Sequence, residues 1–269
     1  MARAGAASGF AHGRGILTAG LRTRQERSTD MNTTKIESGK TRMVAHRGVS
    51  GLEKENTNAA FVAAGNRSYF GIETDVHRTL DGKYVCFHDD QTGRVAIDDM
   101  CVEKTTFDTL RGLLLTDRDG EKGRTDLRIP TLQEYVRICK KYEKTGVLEL
   151  KNTFDPKDVE EIIDIIRAEE YLDGIIFISF SLENMLTLRR LLPTHPCQYL
   201  TCEYSDELVK TLVDNRLDLD ILHTALDEAN IANLHAHGVK VNCWTCDDPD
   251  RAADLVRWGV DFITSNILE

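Results

Sequence analysis

A short stretch of the sequence carries two acids and a histidine at a spacing that a hairpin would bring together. Asp81 and Gly82 form an Asp-Gly pair between alternating apolar and polar residues, which predicts a two-residue β-hairpin turn. A turn of that kind places Asp75 directly opposite His88. Glu73 lies two residues before Asp75 and therefore faces the same side of its strand. Two carboxylates and one imidazole are thus expected to converge.

The same hairpin places further side chains on that face. His77 joins the two acids on the first arm, and Cys86 and Asp90 join the histidine on the return arm. An acidic pair suits a hard divalent cation such as Mg²⁺ or Ca²⁺, whereas a neighbouring imidazole stays free for proton transfer. A solvated, charged strand edge is the alternative interpretation of such a pattern.

Length and composition restrict the class of protein. The chain has 269 residues, of which 41% are hydrophobic and 29% charged, and this suits one large globular domain of barrel size or two small domains. Its apolar runs are far shorter than the roughly 20 residues of a membrane-spanning helix, so stable membrane insertion is not expected. The net charge of −10 argues against a nucleic-acid partner. A small anionic substrate is compatible if local cations neutralise it, and the oligomeric state is left open.

Cysteine usage indicates the compartment. The seven cysteines are an odd number without the spacing of a disulfide framework, which predicts a reducing environment and a cytoplasmic location. Cys243 and Cys246 form a C-x-x-C pair that would suit redox chemistry or half of a zinc site. Because the sequence has no second such pair, we interpret them as ordinary strand cysteines.

The amino-terminal segment differs from the rest of the chain. Its first 30 residues are rich in Arg, Ala, Gly and Ser and poor in acids. This composition is typical of a transit peptide, or of upstream sequence read from too early a start, with Met31 as the initiator. In either case we expect residues 1–40 to be a disordered leader and residues 41–269 to form the folded domain.

Strand and helix signals alternate from Met43 onward, which is typical of βα units around a parallel sheet. Strands are predicted at 43–47, 71–79, 83–88, 146–151, 174–180, 197–203, 218–224, 240–245 and 260–265. The segment 83–88 is the hairpin's return arm and cannot be a parallel strand, so eight strands remain. They predict an α/β fold, a TIM (β/α)8 barrel with a β-hairpin and a small insertion after its second strand. The insertion covers 91–129, with a short helix near 107–115.

Capping signals locate several helix starts. Thr131, with Glu134 three residues later, predicts a capping box, and Asp155 followed by Pro156 predicts another helix start. Side chains that suit N-caps precede the remaining apolar stripes, namely Ser181, Ser205, Asp227 and Asp247 or Asp248.

The active site of a TIM barrel lies at the carboxyl ends of the strands. The side chains that this rule selects are His46, Arg47, Glu73, Asp75, Glu149, Lys151, Ser179, Phe180 and Trp244. Three converging carboxylates repel one another, so a divalent cation is the expected counter-ion. Lys151 faces the same side as Glu149, where it would hold a phosphate oxygen or form a structural salt bridge.

Several short sequence motifs, taken together, resemble those of the glycerophosphodiester phosphodiesterase family. The resemblance covers about 43–266 and rests on His46-Arg47-Gly48, Glu55-Asn56-Thr57, Glu73-Thr-Asp75-Val76, Thr79-Leu-Asp81-Gly82, Val85-x-x-His88-Asp89, Glu149-x-Lys151 and Trp244. Each string is weak alone, but their order and spacing are jointly specific. The resemblance implies a TIM barrel that hydrolyses small glycerophosphodiesters with one divalent cation, Mg²⁺ or Ca²⁺, in lipid and glycerol metabolism.

The resemblance also implies a role for each matching residue. The implied metal ligands are Glu73, Asp75 and Glu149, the acid-base pair is His46 and His88, and the substrate-binding residues are Arg47, Glu55, Lys151, Phe180 and Trp244. Lys54 stands where the family has a proline before the glutamate, so this loop is expected to be less rigid.

Three alternatives are left open at this point. The nucleophile is either the substrate's own 2-hydroxyl, giving a cyclic phosphate that water then opens, or a directly attacking water. The substrate is alternatively a lipid, as for a lysophospholipase D or sphingomyelinase D-like enzyme on the same barrel. The third alternative is a non-catalytic barrel that serves as a binding module.

Overall fold

The strands close into a barrel. The computed structural model describes residues 32–121 and 124–269, and in this part eight parallel strands form a ring because the first strand pairs with both the second and the last. The strands are β1 Arg42–Ala45, β2 Gly71–Arg78, β3 Tyr84–Cys86, β4 Thr145–Leu150, β5 Ile175–Ser179, β6 Cys197–Thr201, β7 Asp218–Leu222, β8 Val241–Trp244 and β9 Phe262–Ser265. All nine predicted strands and the TIM barrel are confirmed. β3 is the antiparallel arm outside the ring.

Helices connect successive barrel strands. They are α1 Asn58–Gly65, α2 Phe107–Gly112, α3 Leu132–Tyr142, α4 Pro156–Ala168, α5 Leu182–Leu191, α6 Asp206–Asn215, α7 Glu228–Ala236 and α8 Pro249–Arg257. Short 3₁₀ turns span Thr92–Arg94, Val102–Lys104, Leu172–Gly174 and His223–Ala225. The predicted short helix of the insertion is α2.

The predicted helix starts are confirmed. Thr131 and Glu134 make both hydrogen bonds of the capping box at α3, and Pro156 is the first residue of α4, although its N-cap Asp155 makes no side-chain cap bond. Side-chain caps at the other predicted positions are made by Ser181, Ser205, Asp227 and Asp248. Each cap satisfies a backbone N–H that the first helical turn would otherwise leave unpaired.

A packed apolar layer fills the barrel interior. Its buried members are Val44, Val147, Ile176, Ile178, Leu200 and Phe262. Val147 precedes Glu149 by two residues on β4 and so faces the same side of the strand. This layer closes the interior with side chains, and in a barrel of this kind the active site lies at the carboxyl ends of the strands.

The hairpin differs from its predicted register by one residue. Val76 pairs with Cys86, and the Phe87 amide donates to the Asp75 carbonyl at 3.0 Å, so Asp75 lies opposite Phe87 and not His88. The loop has three residues and ends in Gly82 at φ +74, a common three-residue hairpin whose last residue is left-handed.

This slip turns the return strand over, because a shift of one residue moves every side chain to the other face. Cys86 consequently packs in the core between strands and helices, with Val76, and the predicted face shared by Cys86, His88 and Asp90 is wrong. β3 ends at Cys86, so His88 lies in the following loop.

The insertion after β3 has a small core of its own. Its buried apolar residues are Val85, Phe87, Val95, Ala96, Val102, Leu110, Leu113, Leu115, Leu127 and Ile129. Because two of these belong to the hairpin, the insertion is packed onto the loop that carries His88.

Residues 32–40 differ from the expected disordered leader. The Thr34 amide donates to the Ile267 carbonyl at 3.0 Å, and the Thr34 carbonyl accepts from the Glu269 amide at 2.8 Å. The Ile36 amide donates to the Glu269 carbonyl at 2.9 Å. The ordered fold thus includes residues before 41. The rest of the predicted leader, with Met31, lies outside the described residues.

We expect Glu269→Gln to lower the free energy of unfolding by about 2 kcal/mol at neutral pH. Burial alone would raise the pKa of Glu269, but hydrogen bonds from Ser68 and Thr33 outweigh it and lower that pKa to about 2. A depressed carboxyl pKa stabilises the fold above its unfolded value near 4.5, and this stability is lost as the pH falls toward 2.

Urea unfolding checks this at neutral and acidic pH. The difference between wild type and Glu269→Gln should shrink as the pH drops from about 5 to 2. The matched control is Glu160→Gln, at an exposed position on α4, which should leave the unfolding curve unchanged. A Glu269→Gln difference that is constant with pH would contradict the assignment.

The two C-x-x-C cysteines lie in the fold as free thiols. Cys243 and Cys246 are both buried, and burial raises the pKa of each thiol. This environment suits packing rather than thiolate chemistry.

None of the helices in 32–121 and 124–269 combines the length and the apolar character needed to cross a bilayer.

Candidate active site

Three buried carboxylates converge at the carboxyl ends of two neighbouring strands. Glu73 and Asp75 lie on β2 and Glu149 lies on β4, where the parallel register pairs Asp75 with Glu149. Each offers a carboxylate oxygen, and these atoms lie within 4.8 Å of one another. The three residues are only 3%, 1% and 7% exposed. The arrangement is a candidate metal centre.

The protonation states show how strongly these acids repel one another. Burial and then the charge of Asp75 raise the pKa of Glu149 to about 8, and the same causes raise the pKa of Glu73 well above its usual value. Burial also acts to raise the pKa of Asp75, but the charges of Arg47 and Lys151 outweigh it and lower that pKa. The cluster therefore favours additional positive charge.

The donor set of the cluster fits a hard cation. Lys151 Nζ lies 2.9 Å from Glu149 Oε1 and 3.6 Å from Asp75 Oδ1, so one ammonium is shared by two of the three carboxylates. Asn56 donates to the other oxygen of Asp75 at 2.7 Å. Carboxylate oxygens are the ligands that Mg²⁺ and Ca²⁺ prefer.

The loop after β1 brings Arg47 against the acids. Its backbone is left-handed at φ 52, which points the amide at Glu73 Oε2 (2.7 Å) while Nη1 donates to Glu55 Oε1 (2.8 Å). The next residue must be glycine, because a Cβ on Gly48 would lie 2.6 Å from the backbone of Ala60. Strained backbone is common at functional sites, where the surrounding contacts hold it.

Lys54 ties the same loop to the insertion. The residue is buried, and its Nζ donates to Thr116 Oγ1 at 3.4 Å, while its carbonyl accepts from the Thr57 hydroxyl at 2.6 Å. These contacts hold the position that precedes Glu55 through side-chain and backbone hydrogen bonds.

His46 is held by an amide. Its Nδ1 lies 2.8 Å from Asn266 Oδ1, and the Asn266 amide nitrogen donates to Asp247 Oδ2 at 2.6 Å. Because an amide oxygen only accepts, Nδ1 carries the proton and Nε2 presents a lone pair. Burial and then the charge of Arg47 lower the pKa of His46 to about 4. The ring is therefore neutral at physiological pH.

His88 is held by a carboxylate. Its Nδ1 lies 2.5 Å from Asp89 Oδ1. Burial lowers the pKa of His88, whereas the charge of Asp75 acts to raise it and those of Arg47 and Lys151 act to lower it. Asp89 is linked through Arg94 and Glu55 to Arg47, which places His88 at the same site as the acids, even though the predicted pairing with Asp75 is wrong. The two histidines thus have different partners.

His77 contacts the backbone of the His88 loop. The ring is fully buried, with Nδ1 3.1 Å from Glu103 Oε1 and Nε2 3.2 Å from the His88 carbonyl oxygen. Glu103 also accepts from Asn152 at 2.8 Å. His77 therefore supports the loop, whereas the acidic cluster is formed without it.

Two aromatic side chains pack together at the carboxyl ends of β5 and β8. The rings of Phe180 and Trp244 meet edge to face at 5.6 Å, and Phe180 is 41% exposed. Trp244 Nε1 is buried without a partner in the described part of the chain. Ser179, by contrast, donates to the Leu150 carbonyl at 2.7 Å and has a structural role.

Several contributors were not identified from the sequence. Asn266 follows β9 directly, so the strand-end rule that selected the other residues would have found it. Arg94 and Glu103 belong to the insertion, where the sequence offers no repeat from which to infer their neighbours.

Comparisons with known proteins agree on one family. The family model described as the glycerophosphoryl diester phosphodiesterase family matches residues 46–268. The Bacillus subtilis protein YhdW is 30% identical over 231 residues, covering 83% of this chain and 93% of the relative. A glycerophosphodiester phosphodiesterase of Caldanaerobacter subterraneus subsp. tengcongensis is 27% identical, covering 84% and 94%.

Solved structures show the same similarity. A phosphodiesterase of Oleispira antarctica, in complex with the product sn-glycerol-3-phosphate, superimposes with a TM-score of 0.77 at 27% identity, covering 84% of this chain and 93% of that one. A glycerophosphodiester phosphodiesterase from Parabacteroides distasonis superimposes with a TM-score of 0.70 at 26% identity, covering 87% and 94%.

Proposed function

The chain belongs to the glycerophosphoryl diester phosphodiesterase family, and from this membership we propose that it hydrolyses small glycerophosphodiesters to glycerol 3-phosphate and an alcohol, using one divalent cation and two histidines. The observation that carries the proposal is the buried cluster of three carboxylates flanked by two histidines with unlike partners. A product complex of a relative, the Oleispira phosphodiesterase, supports glycerol 3-phosphate as the product.

In this proposal the cation is Mg²⁺ or Ca²⁺, held by Glu73, Asp75 and Glu149. When bound, it would neutralise charge on the non-bridging phosphate oxygens and balance the three acids. Arg47 and Lys151 lie against the same acids and would supply further positive charge to the phosphate.

The unlike partners of the histidines suggest separate roles. His46 is neutral with a free Nε2, so it would take the proton from the attacking hydroxyl. His88 has a carboxylate partner, Asp89, which acts to raise the pKa of the ring and so opposes the lowering by burial. In this role His88 would give a proton to the departing alkoxide. Environments that separate two titratable groups commonly mark the base and the acid of a reaction.

The remaining predicted residues would hold the substrate. Glu55 accepts from Arg47 and so fixes the guanidinium that faces the phosphate. Phe180 and Trp244 would pack against the organic part of the ester, and the unpartnered Trp244 Nε1 offers a donor there. A cytoplasmic location and the absence of a nucleic-acid partner remain predictions from the cysteine pattern and the net charge.

Product analysis tests the proposal. Purified protein is incubated with glycerophosphocholine or glycerophosphoethanolamine in Mg²⁺, Ca²⁺ or EDTA. We expect metal-dependent release of glycerol 3-phosphate, and a transient cyclic phosphate would identify attack by the 2-hydroxyl. Release of free glycerol would mean that the other ester bond breaks, and hydrolysis of lysophosphatidylcholine alone would favour a lysophospholipase D. Full turnover in EDTA would contradict the metal assignment.

A further inference from the structure

Arg94 connects the two sides of the candidate site. It ends the 3₁₀ turn Thr92–Arg94 at the start of the insertion, outside every group named in the proposed function. We propose that Arg94 is a positioning residue that holds the general acid His88, through Asp89, in a fixed relation to the phosphate-binding pair of Arg47 and Glu55. The inference rests on the proposed function, because it requires His88 to act as the acid.

The contacts of Arg94 form two forks. Its Nη1 and Nη2 donate to the two oxygens of Glu55, both at 2.7 Å. Its Nε and Nη2 donate to the two oxygens of Asp89, at 2.6 and 3.1 Å. One planar guanidinium thus engages two carboxylates bidentately, a geometry that arginine makes and lysine does not.

Each carboxylate has a second partner inside the site. Glu55 Oε1 also accepts from Arg47 at 2.8 Å, and Asp89 Oδ1 lies 2.5 Å from His88 Nδ1. A continuous chain of charged contacts therefore runs from His88 to Arg47, with Arg94 at its centre. Removing Arg94 leaves Glu55 paired with Arg47 and Asp89 paired with His88, without the link between the two pairs.

The electrostatics agree with this geometry. Burial acts to raise the pKa of Glu55 and of Asp89, but the hydrogen bonds from Arg94, with those from Arg47 and His88, outweigh it and lower both to about 2. Both carboxylates are consequently ionised throughout the physiological range, and Asp89 remains an acceptor for the imidazole.

The His88 ring depends on this support more than its backbone does. The His88 backbone carbonyl is held by a hydrogen bond with the buried His77. The His88 ring, in the loop that follows β3, is oriented by the Asp89 side chain. Exposed ion pairs usually contribute little to stability, and the Arg94 side chain is 48% exposed. Its contribution is therefore expected in orientation rather than in folding.

The test is a comparison of leaving groups, because a general acid matters most when the departing alkoxide is a poor leaving group. Wild type, Arg94→Gln, Arg94→Lys, Asp89→Asn and His88→Ala are assayed on glycerophosphocholine and on the p-nitrophenyl ester of glycerol 3-phosphate. We expect Arg94→Gln to lower kcat about 10-fold on the choline ester and less than about 3-fold on the nitrophenyl ester. Arg94→Lys should fall between Arg94→Gln and wild type.

A matched arginine of the same insertion provides the control. Arg124 also makes ion pairs, to Glu53 and Asp126, with 36% of its side chain exposed, and these carboxylates do not contact a histidine. Arg124→Gln should leave both rates unchanged. Thermal melting of each variant reports folding, and Arg94→Gln should melt within a few degrees of wild type.

The outcomes separate the inference from its premise. If His88→Ala shows the leaving-group difference and Arg94→Gln does not, or if Arg94→Gln is equally slow on both esters, the positioning role is overturned while the proposed function stands. If His88→Ala shows no difference between the esters, the acid assignment fails and the inference fails with it. An Arg94→Gln Asp89→Asn double variant that is no slower than Asp89→Asn alone supports action through Asp89.

Discussion

Replacing either His46 or His88 with alanine is expected to lower kcat on glycerophosphocholine by about 100-fold or more. Each ring is held at Nδ1, by Asn266 and by Asp89 respectively, so Nε2 is the nitrogen left for proton transfer. Neither histidine belongs to the candidate metal cluster, which consists of Glu73, Asp75 and Glu149. Both variants should therefore keep metal binding and the fold while losing proton transfer.

Initial rates and metal-dependent melting curves measure this prediction together. His237→Ala is the control, because His237 is exposed at the end of α7, where its ring forms a hydrogen bond with the Asn233 carbonyl. We expect that variant to turn over at the wild-type rate. Full activity in either His46→Ala or His88→Ala would refute the acid-base assignment.

The two histidine variants should also differ from one another. His46→Ala should remain slow on both the choline and the nitrophenyl ester, because the nucleophile must lose its proton in either reaction. His88→Ala should recover much of the rate on the nitrophenyl ester, whose phenolate departs without a proton. The reverse pattern would exchange the roles of base and acid.

Glu149→Gln should strongly weaken cation binding. Its effect on thermal stability should depend on whether a cation is present. The change removes one of three clustered carboxylates, so we expect cation affinity to fall by more than the roughly 10- to 100-fold that loss of a mere supporting group costs. Without metal, burial and then the charge of Asp75 disfavour an ionised Glu149 and raise its pKa to about 8, and a neutral glutamine avoids this cost. The variant should then melt no lower than wild type.

Thermal melting in EDTA and in rising Mg²⁺ or Ca²⁺ measures both effects. For wild type, a cation at about one hundred times its Kd adds about 3 kcal/mol to the free energy of unfolding, and this gain should be absent in Glu149→Gln. The cation with the larger effect on wild type identifies the preferred metal.

Asp220→Asn is the matched control for this change. Asp220 is a buried carboxyl on β7 whose pKa is raised by burial and by the charge of Glu149, but it is not one of the three clustered carboxylates. Its variant should retain the metal-dependent gain in stability. If Glu149→Gln also keeps the metal-dependent gain in stability, Glu149 does not bind the cation.

The sequence predicts this fold well because each βα unit carries its own local signals. The apolar strands are short, and caps such as Ser181 and Ser205 mark where helices begin. The strand-end rule then selects the acids and His46 without any knowledge of long-range contacts. These features depend on residues that are close in sequence or on a symmetry of the fold.

The predicted register of the hairpin was wrong, because a difference of one residue in the loop length changes every pairing between the two strands. Asp81 and Gly82 suggest a two-residue turn as strongly as a three-residue loop, and only the observed pairing of Val76 with Cys86 distinguishes them. The support of His88 by Arg94 depends on the packing of the irregular insertion. Such contacts have no periodicity, so no pattern in the sequence indicates them.

The barrel closes where β1 pairs with β9, and this closure has a consequence for the order of folding. Those strands come from opposite ends of the described chain, so their pairing carries the largest loop-closure entropy in the sheet. The hairpin of β2 and β3 and the neighbouring β4 involve more local contacts and are expected to form earlier.

The site would consequently assemble in two stages. The acids of β2 and β4 come together with the early half of the sheet, whereas His46 gains its Asn266 partner only when the ring closes. A chain still emerging from the ribosome would thus hold the acidic cluster before it holds an oriented base. Catalytic competence is therefore expected to arise with the last strand, so that only the completed barrel hydrolyses its substrate.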